Sequence, residues 1–177
     1  MKETLLMYAR YTKRANGSVF SLLDGLSEDA LNEDRKSYYG SLASLAAHIA
    51  GATLYFHSLF RASCPAAARV LASTESLTTP HDPHVTPDEW RRLKDIAAAA
   101  DKATIELFDS LKEEDLPCPV KLDWYGGDPD AVPLWFLANQ LFTHGTHHRG
   151  QMSQILDEMG VEHDFSGIDL EFLPKSL

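Results

Sequence analysis

Apolar and small side chains recur at three- and four-residue steps along four stretches of the chain, the spacing of one helical face. Leu5, Tyr8, Thr12, Ala15, Val19, Leu22 and Leu23 predict a first long helix between Leu5 and Leu26. From Ser41 to about Ser63, Leu42, Leu45, His48, Ile49, Ala52, Phe56, Leu59 and Phe60 share a face and predict a second. Leu93, Ile96, Ala97, Ala100, Thr104, Leu107 and Leu111 predict a third. The fourth is expected from Pro133 to Met159, with Leu134, Leu137, Ala138, Leu141, Met152, Ile155 and Leu156 on its inner side.

Start and stop signals bound these helices. Ser27 reads as the cap of a short helical turn. Thr86-Pro87-Asp88-Glu89 combines a capping threonine, a proline at the first helical position and a glutamate that closes a capping box. Gly160 is placed to end the last helix. Residues 64–85, with Pro65, Pro80 and Pro83, read as a long connection with a helical turn in 66–71, serving as a lid or a spacer. Cys118 to Tyr125 reads as a short strand and turn before Gly126-Gly127. No internal repeat is present. The expectation is an all-α fold, a four-helix bundle with long crossover connections, forming a single domain over residues 1–177.

Composition narrows the function. Hydrophobic residues make up 44% and charged residues 24% of the chain, which excludes a disordered class. Sixteen basic against 26 acidic residues give a formal charge of −10, and no basic cluster exceeds Arg91-Arg92. Phosphate backbones and anionic membranes would be repelled, so neither nucleic acid nor membrane is expected as a partner. Charges at Glu3, Arg10, Lys13 and Arg14 interrupt any apolar leader, and no stretch reaches the roughly 20 apolar residues of a membrane span, so the expected location is cytoplasmic. The two cysteines, Cys64 and Cys118, form no Cys-x-x-Cys pair and read as free, partly buried thiols.

The candidate chemistry lies in His144-Gly145-Thr146-His147-His148-Arg149-Gly150-Gln151. His144 and His148 stand one turn apart on the inward face, a spacing that lets two imidazoles converge on one ion. His48, in the apolar stripe of the second helix, can supply a third nitrogen. Three histidines with no fourth protein ligand describe an open site for a divalent ion, zinc or nickel foremost. Core histidines satisfied by hydrogen bonds are the competing reading. Haem fits a close pair on one helix poorly, and no Glu-x-x-His motif supports a di-iron centre.

Gln151 comes back toward His144 and, with Arg149, is expected to orient ligands or substrate; His147 is a candidate proton shuttle at the rim. Tyr55 and the Trp124-Tyr125 segment read as packing or a pocket wall. His57, opposite His48 on its helix, is expected at the surface, and His81 and His84 in the proline-rich loop as solvated.

Leu45-Ala46-Ala47-His48-Ile49-Ala50 and the octet from His144 to Gln151 resemble the DinB/YfiT-like family of metal-dependent proteins. Tyr11-Thr12 and Ala15-Asn16 resemble that family's first helix, although Arg14 stands where a tryptophan is frequent. The resemblance runs from the first helix to Met159. It implies a bundle of down-up-up-down topology, often a homodimer, with a divalent ion on histidines that map to His48, His144 and His148. Some relatives transfer low-molecular-weight thiols such as bacillithiol, mycothiol or glutathione, or use them in isomerisation; many have no assigned activity. The expected function is therefore a metal-dependent enzyme acting on a small molecule, a thiol S-transferase or a hydrolase, with a thiol as second cofactor in the first case. The alternative is a non-catalytic bundle, a dimerisation or ligand-sensing module whose histidines are structural.

Overall fold

The computed structural model describes residues 1–80, 84–122, 124, 126–165 and 167–173. Six helices occur among them: α1 (Lys2–Leu23), α2 (Glu28–Asn32), α3 (Leu42–Ser63), α4 (Pro65–Val70), α5 (Pro87–Ser110) and α6 (Leu134–Glu158). Short 3-10 turns follow at Leu71–Thr74, Glu113–Asp115 and Ile168–Phe172. Strands β1 (Pro119–Lys121) and β2 (Ala131–Pro133) pair antiparallel, Val120 opposite Val132. The described residues are therefore mostly helical, with a two-stranded ribbon whose first strand lies in the stretch read as a short strand and whose second was not expected.

The helix boundaries follow from local chemistry. Ser41 accepts from the Ser44 amide at the start of α3. At α5 Thr86 Oγ1 accepts from the Glu89 amide while Glu89 accepts from the Thr86 amide, so two otherwise orphaned donors are satisfied. Helix α6 ends where Gly160 takes φ 68° and the amides of Gly160 and Val161 reach back to the Asp157 and Leu156 carbonyls.

Helix α1 packs against α5 and α6, and α3 packs against the same two helices. Their interior is divided into three zones. One apolar cluster holds Leu5, Leu6, Phe56, Phe60, Leu107, Phe108, Leu137 and Leu141. A second holds Val19, Leu23, Leu42, Leu45, Leu93, Ala97, Met152 and Leu156. Between them lies a belt of buried polar side chains: Asn16, Thr53, His57, Asp101, Thr104, His148 and Arg149. Residue numbers show that α1 and α6 run from the first cluster to the second, whereas α3 and α5 run the other way. Two consecutive long helices pointing the same way need a return of the chain between them, which accounts for the long segment after α3. Part of that return is ordered as α4 and a 3-10 turn, covering the expected turn at 66–71.

The expectation that His57 is exposed is corrected. Its relative exposure is 0%, because α3 is covered on several sides, by α4, α5, α6 and β1, rather than on one. The solvent face of α3 is thereby narrowed to positions such as Tyr55, and opposing His48 does not place a residue on it.

Candidate metal centre

Where α3 meets α6, His48 and His144 are half-buried and His148 is buried. His48 projects from α3, and His144 and His148 project from successive turns of α6. Their three Nε2 atoms lie 3.1, 3.2 and 3.1 Å from one another. Each Nε2 bears either a proton or a lone pair, so at least one of the three pairs must set like against like. An ion removes that conflict by taking all three lone pairs. Tetrahedral zinc with bonds of about 2.0–2.1 Å spaces its nitrogens roughly 3.3–3.4 Å apart, close to the observed triangle. The donor set and its geometry therefore fit a divalent ion.

Electrostatics favour the same state. Burial, with the neighbouring histidines adding to it, pulls the His144 imidazole down to about 4. Burial also lowers His48, followed by the effect of His148. At neutral pH these rings keep their lone pairs available. His148 Nδ1 donates to Gln151 Oε1 at 2.7 Å, which fixes the tautomer with a bare Nε2 and leaves no freedom for the ring to turn away.

Tyr39, which precedes α3, was not found by sequence reasoning. Its ring stacks on His48 with centroids 4.1 Å apart, and its hydroxyl lies 2.9 Å from His48 Nε2. Burial raises its pKa, so the hydroxyl remains a donor at neutral pH. No periodicity could identify it, because it lies outside any helix.

The remaining candidates separate. His147 is exposed, its ring 4.9 Å from that of His148 at the rim. Tyr55 is exposed and packs against Trp124, with ring centroids 5.7 Å apart, away from the histidines. Arg149 is buried but points to α1, donating to Asn16 Oδ1 at 2.9 Å and to Thr146 Oγ1 at 3.0 Å. Asn16 in turn donates to both oxygens of Asp101 at 3.0 Å. This arginine thus belongs to a network beside the histidines, not to their ligand shell. Sequence reasoning gives Asn16 and Asp101 no site role, although each stands at helical spacing from stripe residues, Thr12 for the one and Ala97 and Thr104 for the other. His84 is exposed and contacts Glu28 at 3.2 Å, whereas His81 and Tyr125 lie outside the described residues. Cys64 and Cys118 are free thiols, and burial followed by the contact with Cys64 pushes Cys118 up to about 11.

Among the described residues no helix is long and apolar enough to cross a membrane. A search of curated proteins gave no match. Among solved structures the chain is similar to a DinB-like protein, YjoA, from Bacillus subtilis, with a TM-score of 0.60 and 17% identity over 88% of this chain and 94% of that one. That likeness speaks for the fold. The sequence pattern of the DinB family matches residues 1–169, nearly the whole chain, and the chain belongs to the DinB family.

Proposed function

We propose that this protein is a metal-dependent enzyme of small-molecule chemistry, in which His48, His144 and His148 hold one divalent ion, zinc or nickel. The observation that carries the reading is the triangle of Nε2 atoms 3.1–3.2 Å apart. Bound there, the ion would act as a Lewis acid that makes a water or a thiol nucleophilic at neutral pH.

The chain's own residues would do the rest. Gln151 holds the His148 tautomer through Nδ1. Tyr39 supplies a hydroxyl beside the ligand cluster, placed to donate a hydrogen bond to a substrate or nucleophile bound at the open position. His147, exposed next to His148, can pass a proton to solvent. Three ligands and an open side suit either thiol S-transfer or hydrolysis. The family resemblance supports the thiol reading, with a low-molecular-weight thiol as second cofactor. It also supports a homodimer and a four-helix bundle of down-up-up-down topology, a topology in keeping with the opposed directions of α1 and α6 against α3 and α5.

Metal content measured on untagged protein and on His148→Ala tests the proposal. One divalent ion per chain, lost in the variant, together with melting that rises with added ion, is the expected result. No ion in either protein after incubation with zinc or nickel would leave the non-catalytic bundle. A small thiol that binds only the metal-loaded protein selects transfer over hydrolysis.

A further inference from the structure

Asp101 is the one carboxylate of the polar belt, and the metal site proposed above does not use it. It is buried on α5, held by two hydrogen bonds from Asn16, and burial raises its pKa to about 6. Between it and the histidines lies an interior cavity of about 10 Å³, lined by Thr12, Asn16, Thr53, Asp101, Thr104 and His144, among others. That volume is about the room needed by one water. Thr12 Oγ1, on the cavity wall, is buried and without a hydrogen-bond partner. His144 is the second incomplete group on the wall. Its Nε2 is turned to the other two histidines, and among the described residues its Nδ1 makes no hydrogen bond. His148, by contrast, has its Nδ1 held by Gln151.

A histidine that gives Nε2 to an ion must carry its proton on Nδ1, and that N–H is commonly held by a carboxylate, a carbonyl or a water. We propose that a single water in this cavity accepts from His144 Nδ1 and donates to the Asp101 carboxylate and to Thr12 Oγ1, making Asp101 a positioning residue for the metal centre. The inference rests on the metal reading above. The link places a carboxylate behind one ligand through a water, while an amide stands directly behind the other. The cavity wall mixes apolar side chains, Ile49, Leu141 and Phe142, with these three hydrogen-bonding groups, and a water held there would satisfy them together. Asp101 acts on the ion only through His144. Removing the link should therefore change how the ion is held more than how the chain folds.

Zinc affinity, measured by competition with a chromophoric chelator, and the visible absorption of the cobalt(II) form test this on wild type, Asp101→Asn and Thr12→Val. The expected result is zinc binding weakened ten-fold or more in Asp101→Asn and several-fold in Thr12→Val, with altered cobalt bands in both. The melting temperature of metal-free Thr12→Val should be unchanged or raised, since that variant removes an unpartnered hydroxyl at constant shape. Loss of affinity without loss of stability is an outcome that a purely structural role would not give. If Asp101→Asn fails to fold, Thr12→Val carries the same test. Wild type that binds zinc or cobalt while the folded variants bind with unchanged affinity and spectrum overturns the water link alone. Wild type that binds neither ion overturns the link together with the metal reading.

Discussion

His57 provides a prediction in which both the sign and the size follow from burial. Its Nε2 donates to Thr104 Oγ1 at 2.8 Å, and Thr104 itself donates to the Ala100 carbonyl. Its Nδ1 has no partner, so the ring has no group that would welcome a second proton. Burial, with Arg61 adding to it, pulls the imidazole down to about 4. In the unfolded chain it titrates near 6.5. The fold therefore favours the neutral form, and the corresponding stability is fully present above pH 6.5 and lost as the pH falls toward 4. For these two values the loss amounts to about 2 kcal/mol at pH 5 and about 3 kcal/mol below pH 4.

His57→Leu isolates this contribution, because leucine fills the space without titrating and leaves the bond from Thr104 to the Ala100 carbonyl in place. Urea denaturation of both proteins at pH 7.5 and pH 5, with a chelator throughout, gives the stability of wild type relative to the variant at each pH. All other titrating groups are common to the two proteins and cancel in that difference. The expected outcome is a relative stability of wild type about 2 kcal/mol lower at pH 5 than at pH 7.5. A difference that stays constant between the two pH values would mean that His57 accepts a proton in the folded state, and the burial argument would fail.

Gln151→Ala should weaken zinc binding by about 10- to 100-fold, because His148 loses the acceptor that fixes its tautomer; Gln151→Glu should restore most of it, read by chelator competition. Thr86→Ala should lower stability by about 1 kcal/mol, a fall in melting temperature of roughly 2–4 °C, with metal binding untouched, because it breaks the capping box far from the histidines. Phe108→Ala should cost about 3–5 kcal/mol in denaturant unfolding, since the ring is fully buried in the first apolar cluster. Tyr39→Phe should keep the bound ion, measured by metal content, and lose turnover or thiol binding, because only the hydroxyl is removed while the ring still stacks on His48.

What could be read from the sequence depended on periodicity. The four long helices and the inward face shared by His144 and His148 follow from side chains spaced three, four and seven apart, with side-chain caps marking the starts of α3 and α5. Gln151 was placed toward His144 by the same rule, and it meets His148 instead, since a side chain three residues on leans back over the turn before it. Periodicity failed where enclosure changed its meaning. His57 was assigned to solvent because it opposes His48, yet α3 is covered on that side as well. Arg149 lies just outside the apolar stripe and is buried all the same, turned to Asn16 and not to the ligands. Tyr39 reaches the site from a segment with no period at all, positioned by the turn that leads into Ser41 and the start of α3. Long-range pairing of β1 with β2 had only half a signal, because Ala131-Val132-Pro133 is too short to distinguish from the start of the following helix.

The placement of the polar belt links fold to function. A continuous apolar interior would let the long helices slide past one another by a turn at little cost, since one leucine layer packs much like the next. Here the polar residues of each long helix must meet partners at matching heights: Asn16 on α1 with Asp101 on α5 and Arg149 on α6, His57 on α3 with Thr104 on α5, and His48 on α3 with His144 and His148 on α6. A slip of one turn would bury these groups against leucine and phenylalanine and leave them unsatisfied, at a cost of about 1–3 kcal/mol for each lost partner. The belt thus fixes helix register, and register sets the separation of the three Nε2 atoms across two helices. Spacing on α6 alone fixes only the pair His144 and His148. The third nitrogen arrives at 3.1–3.2 Å because Asn16, Asp101, His57 and Thr104 hold α1, α3 and α5 at the level where His48 can meet them.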